Sequence, residues 1–459
     1  MTSAHAKSTA NALASVAKEL FAAREGRSEG LVSVALLLPL LKSLVGTSLE
    51  QLRQEASATW ERPSDDFHLF ALGTAIRLQG APDEALSAVI PAIRALRRSA
   101  VSVGVAQDAR PRFFGGARFD PDAPASDPAW EPFGGWQFFL PQMLVALRDD
   151  RVSASATAFV RDGDTPQSLA SALRYTLERQ TALPASPQAV DEPGETTWRR
   201  SVSLAVQEIH GDAYQKVVLA RRTDLELPGT PGNSTIIGRL ASKYSDCFVF
   251  SFRAGESTWL GASPELLVSL SDGVVRAVSL AGSRPRGDDS HTDRSLGQEL
   301  LASQKERSEH AFVVDAIRDI LRPLCADLTV PDGPALMKLA NIQHLCTPIT
   351  GFAADGVDVL DFVVRMHPTP AVGGSPREAA MEAVRRLDGI DRGWYAAPIG
   401  WLDLTGDGEF AVGLRAGLVS GTTARLYAGA GIVAGSDPEQ EFAEVELKFR
   451  PLRAALGGG

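Results

Sequence analysis

The sequence predicts an α+β fold, a large arrangement of mostly antiparallel sheets flanked by helices. Three observations carry that expectation. Residues from about 30 to 160 alternate apolar runs with turn signals such as Phe114-Gly115-Gly116 and Phe133-Gly134-Gly135, the pattern of hairpins. Long helical stretches follow groups of strands instead of alternating with single strands, which disfavours a doubly wound parallel sheet. No solenoid-like repeat runs through the 459 residues.

Taken in order, Val32–Leu41 reads as a buried strand leading into a helix start. It is too short to span a bilayer, and Lys42 follows at once. Gln167–Arg179 is predicted helical. Ala182–Thr197, rich in Pro, Ser and acids, is predicted to be a loop or linker. An amphipathic helix is expected from Trp198 to about His210, then a turn at Gly211-Asp212 and a strand from Lys216. Strands near 247–253, 258–260, 266–270 and 274–279 precede one long helix from about Ser295 to Cys325. The sheet resumes over about 396–434 with a turn at Gly406-Asp407-Gly408. A helix from about Pro438 to Ala455 closes the chain. The expected organisation is an N-terminal half (1–180), a linker-like loop (181–197) and a C-terminal half carrying the chemistry (198–459), folded as one integrated domain.

Composition excludes several classes. The net charge of −10 and a pI near 5.3 argue against nucleic acid, yet leave room for a local basic pocket that takes a small anion. Cys247, Cys325 and Cys346 cannot all pair and form no Cys-x-x-Cys, which suits a reducing cytosol. The N-terminus lacks the pattern of a secretory signal. The expectation is a cytoplasmic protein, monomer or homodimer, with no membrane or nucleic-acid partner.

Two segments stand out chemically. Ser303–His310 places Glu306 and Glu309 three apart; Glu441–Lys448 places Glu441, Glu444 and Lys448 three and four apart. On helices these spacings gather side chains on one face. Two helices offering two carboxylates each suit a hard cation such as magnesium, which takes oxygen ligands.

Other candidates are weaker singly. Lys216 shares a strand face with Val218 and Ala220, so it is either solvated at the strand end or held in a pocket, where it can serve as a base. Glu265, after a strand and a turn, is either an ordinary strand-end acid or a buried one that keeps its proton near neutrality. Ala281–Gly287 reads as a Gly-rich basic turn. Ala428-Gly429-Ala430-Gly431 lacks the context of a dinucleotide fingerprint. Arg415, read within a strand, suits either a carboxylate grip or a structural ion pair. Tyr395 is placed to donate to the same carboxylate, and His344 is either a satisfied core histidine or a pocket residue. Asp403–Gly408 has Leu414 where a calcium loop closes with glutamate, so a hairpin turn is expected.

Together these segments resemble the chorismate-utilising enzymes, and among them the isochorismate synthase branch. The resemblance spans nearly the whole chain. Trp60-Glu61-Arg62-Pro63 and the two Phe-Gly-Gly segments look like its menaquinone-pathway members. Eight pieces follow in the family's order: KVVLAR from Lys216, SPELLV from Ser263, LAGSRPRG from Leu280, SQKERSEH from Ser303, IQHL from Ile342, HPTPAVGG from His367, PIGWLDLTGDGEFAVGLR from Pro398 and GAGIVAGSDPEQEF from Gly429.

The resemblance implies roles. Lys216 would be the general base that activates water for attack at C2 of chorismate, and Glu265 the general acid that protonates the departing C4 hydroxyl. Glu309 and Glu444 would hold Mg2+, with Glu306 and Glu441 supporting. Tyr395, Arg415 and the Gly429 amide would clamp the enolpyruvyl carboxylate. Ala281, Gly282, Ser283, His344, Gly431 and Lys448 would complete the pocket. Ala281 stands where the aminodeoxychorismate branch carries a nucleophilic lysine, which closes that route. Glu306, Ala397 and Val445 depart from the family's usual Asp, Gly and Thr. The expected activity is reversible conversion of chorismate to isochorismate. The alternatives are a salicylate synthase, which goes on to eliminate pyruvate, an ammonia-using synthase, and an inactive chorismate-binding homologue.

Overall fold

The structure, a computed structural model, describes residues 3–24, 29–36, 48–178, 194–227, 229, 232–338 and 342–457; for residues 3–10, 174–178 and 342, and for Ala281 and Glu309, it describes the backbone alone. The expected helix start after Leu36, Arg179 and most of the 182–197 linker lie outside the described residues.

Two sheets dominate. One runs, edge to edge, through Gly374–Ser375, Lys216–Glu226, Thr423–Ile432, Ala416–Ser420, Ser257–Ser263, Phe248–Ala254, Ala58–Arg62, Phe67–Leu72, Met143–Arg148, Arg151–Val160, Gly30–Ala35 and Val101–Val103. The other runs through Cys325–Thr329, Ile342–Ala353, Val274–Pro285, Leu266–Ser271, Gly408–Val412, Pro398–Asp403, Arg112–Ala117, Trp136–Leu140 and Ile76–Gly80. Neighbours are antiparallel except Gly30–Ala35 with Val101–Val103. Each half supplies a continuous block of strands to each sheet, and the two blocks meet at a single junction in each. Ala58–Arg62, for example, lies beside Phe248–Ala254.

The core follows from composition. Trp130, Trp259, Trp394, Tyr427 and Phe133 are buried and meet edge-on or tilted, with Trp130 and Trp259 centroids 5.1 Å apart. Aromatic pairs of this kind add to the gain from area burial. A smaller core packs Leu13, Val16, Ala17 and Leu20 of the Ser3–Ala22 helix against Val32, Phe70 and Val145.

Several sequence expectations are corrected. The single helix over 295–325 is two helices, Ser290–Ala302 and Gln304–Leu321, followed by a short turn and the strand Cys325–Thr329. Ser303 breaks them because it is extended and its hydroxyl accepts from Glu306 N, capping the second helix. Ala281–Gly287 is largely strand, not turn. Val274–Pro285 continues through it and pairs with Ile342–Ala353, with a register shift between Ala281 and Ser283. Arg415 lies between the strands Gly408–Val412 and Ala416–Ser420, with φ at 48°. The sequence reading also left the helices Asn233–Lys243, Val359–Met366 and Arg377–Leu387 unassigned.

Candidate active site

The site forms where the chain crosses from one sheet to the other. The strand Ser257–Ser263 belongs to the first sheet and Leu266–Ser271 to the second, so Glu265 sits on the crossover. Gly413–Arg415 is the reverse crossover. The two are laced together: Val412 N donates to Glu265 O at 3.0 Å, Ser263 Oγ to Val412 O at 2.6 Å, and Ala262 N to Arg415 O. That lacing holds Arg415 at a positive φ that a non-glycine residue rarely adopts. Tyr395 arrives on a third segment, with Ala396 N donating to Gly413 O.

These segments surround a cavity of about 620 Å³. Its walls include Lys216, Glu265, Gly282, Ser283, His344, Tyr395, Arg415, Gly429, Gly431 and Lys448. The structure therefore brings together every predicted base, acid, clamp and pocket residue whose side chain is described. The side chain of Ala281 lies outside the described residues.

Each group has a local cause. Lys216 opens its strand, and its aliphatic stem crosses Gly431 on the neighbouring strand. A Cβ on Gly431 would stand 2.9 Å from Lys216 Cε. Glu265 lines the cavity and is half-buried. Burial pushes its carboxyl up to about 7, against the opposing pull of Lys216 and Lys448. Tyr395 is buried and stacked on Tyr427 at 5.5 Å, and burial raises its hydroxyl pKa so that it stays a donor. Lys448 Nζ donates to Gly429 O at 2.8 Å and pairs with Glu444 at 2.7 Å. His344 Nδ1 lies 2.7 Å from Ser283 Oγ. Burial, with Arg415 and Lys448 nearby, lowers its pKa to about 4, so the ring is neutral. Among the described residues Arg415 has no ion pair, which leaves a half-buried guanidinium for a ligand.

Two acids of the two helices reach residues of the cavity wall, Glu306 beside Gly282 and Glu444 paired with Lys448. Glu306 Oε2 lies 2.9 Å from where a Cβ on Gly282 would sit, at the bulge (Gly282 φ +75°). Burial, then the charge of Glu444, raises the Glu441 carboxyl pKa, while its Ser436 hydrogen bond lowers it. The side chain of Glu309 lies outside the described residues. Among the described residues no three ligand-type side chains converge. The donor chemistry still fits a hard cation: oxygen ligands only, the charge of Glu444 raising the cost of ionising Glu441, with Lys448 paired to Glu444 as counter-charge.

Sequence reasoning missed Arg392, Tyr427 and the segment Pro370–Val372, which also line the cavity. The Asp388/Arg392 spacing of four was the available signal.

The family described as chorismate binding enzyme matches residues 16–457. The chain belongs to that family. As a chorismate-binding enzyme it is similar to the isochorismate synthase MenF of Bacillus subtilis, 36% identical over 358 residues, or 76% of this chain and 75% of the relative. It is 37% identical over 413 residues to the salicylate biosynthesis isochorismate synthase of Pseudomonas aeruginosa, covering 88% of this chain and 85% of that one. The solved structure of MenF, the menaquinone-specific isochorismate synthase of Escherichia coli, superposes with a TM-score of 0.77 at 26% identity. It covers 97% of this chain and all 100% of that one. Among the described residues no helix is long and apolar enough to cross a membrane.

Proposed function

We propose that this chain is an isochorismate synthase, an isomerase that moves the hydroxyl of chorismate from C4 to C2 in the cytoplasm. The observation that carries the reading is that Lys216 and Glu265 line one cavity, with the Glu265 carboxyl titrating near neutrality. Lys216 takes a proton from the attacking water, and the oxygen adds at C2. Both ring double bonds shift, C1=C2 to C1=C6 and C5=C6 to C4=C5, as the C4–O bond breaks, and Glu265 delivers the proton that turns the leaving group into water. One water enters and one leaves, so the reaction is a near-balanced isomerisation and its rate comes from positioning and matched proton transfer.

The substrate is a dianion. Arg415 and Tyr395, with the Gly429 amide, suit the enolpyruvyl carboxylate. Glu309 and Glu444, supported by Glu306 and Glu441, would hold Mg2+. The bound ion would supply the positive charge that pairs with the ring carboxylate inside an acidic protein. Ser283, His344 and Lys448 complete the polar wall. The Escherichia coli structure is described as menaquinone-specific and the Pseudomonas relative is named for salicylate biosynthesis; the Trp60–Pro63 segment favours the menaquinone route.

The test is turnover of chorismate by purified protein with magnesium and with a chelator, separating isochorismate from salicylate plus pyruvate. Isochorismate alone, formed only with the metal, is expected. Salicylate and pyruvate accumulating together would make it a salicylate synthase. No turnover would leave a binding protein.

A further inference from the structure

The Lys216–Glu226 strand lies next to the edge of its sheet, and its outer neighbour is only the two residues Gly374–Ser375. The outward backbone groups of the next residues must find other partners or cost free energy. Val218 N donates to Gly373 O at 3.1 Å. Val218 O accepts from Arg392 Nη2 at 2.6 Å, and Ala220 N donates to Asp388 Oδ1 at 2.9 Å. Arg392 Nε and Asp388 Oδ2 are joined at 2.5 Å, both side chains about 4% exposed. The same guanidinium donates to Val372 O at 3.2 Å, and it lies 4.2 Å from the Phe119 ring centroid. The Arg392 carbonyl accepts from Tyr395 N at 2.8 Å.

Thus one residue touches three walls of the cavity: the strand that begins at Lys216, the Pro370–Val372 segment and the segment carrying Tyr395. As a stability device a buried ion pair is unremarkable, since an apolar pair often does as well. What an apolar pair could not do is supply one donor and one acceptor at the spacing of a missing strand.

We propose that Arg392, locked to Asp388, is a positioning residue for the reaction, completing the strand edge and so fixing Lys216 relative to Glu265 and Tyr395. The inference rests on the reading of Lys216 as the base. Arg392 acts through the backbone of Val218 and Val372, not on the substrate.

Two variants of the full-length enzyme test it. Arg392→Lys keeps the charge, but one ammonium cannot reach Asp388, Val218 O and Val372 O together. The pair Asp388→Asn/Arg392→Met removes both buried charges at once and keeps an acceptor for Ala220 N. Both are expected to keep native circular dichroism. Their kcat should fall about tenfold to a hundredfold while KM for chorismate changes by less than about threefold, since a small misplacement of a reacting group costs rate. A folded variant with unchanged kcat overturns the proposal, and if the neutral pair fails to fold, Arg392→Lys decides alone.

A second readout does not depend on turnover. Lys216 on its strand and Lys448 on the C-terminal helix hold the Glu265 titration down. If Lys216 drifts, Glu265, followed by carbon-13 NMR, should titrate at higher pH and the Ala220 amide should exchange faster. Wild-type protein that fails to isomerise chorismate sinks the functional reading. The shifted titration would then still support the positioning role, and an unshifted one in a folded variant would overturn it.

Discussion

Glu265 carries the sharpest residue-scale consequences, because one cause acts on both activity and stability. Its carboxyl pKa rises to about 7 in the folded protein from an ordinary 4.5. Between those values the folded state keeps a proton that the unfolded chain has released. Stability from this group is therefore complete below about 4.5 and is lost as pH rises through 7, by on the order of 3 kcal/mol. Glu265→Gln removes that dependence. The variant should melt higher than wild type at pH 8, with the gap closing towards pH 5, and its kcat should fall about 10²–10⁴-fold. Equal destabilisation at both pH values would show that the carboxyl is not held protonated by its surroundings. The wild-type kcat/KM should also decline above about pH 7, where the acid is lost. Lys216→Ala belongs beside it: turnover should vanish with the fold intact, and retained activity would remove the lysine from the mechanism.

At the element scale, small residues make room for chemistry. Gly431 faces the Lys216 stem across paired strands, and the nearest atom to an added Cβ is the flexible Lys216 Cε at 2.9 Å. Gly431→Ala should leave the melting temperature almost unchanged, because the lysine can move and alanine suits a strand better than glycine. It should lower kcat about tenfold by displacing that lysine. An unaltered kcat would mean that the stem's path over Gly431 does not matter. The same scale shows what the sequence made legible. Lys216 at a strand start, Glu265 after a turn and the Glu441–Lys448 face depend on neighbours within a turn or two, so local pattern put them on their elements, while their roles came only through the family resemblance. The break at Ser303 was also local: Ser303 with Glu306 three residues on is a capping signature hidden inside an otherwise helical run. Arg415 was picked out as a candidate, but its place between two strands was not legible, because Phe410–Leu418 alternates without interruption. Only pairing with distant strands shows that Gly413–Arg415 changes sheets. The edge role of Arg392 depends equally on strands far away in sequence.

At the scale of the whole molecule, the sheet order decides how the chain unfolds. Ala58–Arg62 and Phe67–Leu72 from the first half continue the sheet from Phe248–Ala254, while Arg112–Ala117 and Trp136–Leu140 continue the other sheet from Pro398–Asp403. Trp130 of the first half packs on Trp259 and Tyr427 of the second, and its indole donates to Tyr427 Oη at 3.0 Å. Separating residues 1–180 from 198–459 would strip both sheets of internal neighbours and expose this aromatic core to water. Each half would then present long unpaired strand edges, which invite aggregation. We therefore expect one integrated folding unit: a single calorimetric transition whose measured and van't Hoff enthalpies agree. Neither half should be soluble when expressed alone, whereas a chain cut between 182 and 193 after folding should stay associated and active. Two resolved transitions, or a soluble 198–459 fragment that turns over chorismate, would show that the halves are independent domains and that the shared sheets contribute little to holding Lys216, Glu265 and Arg415 together.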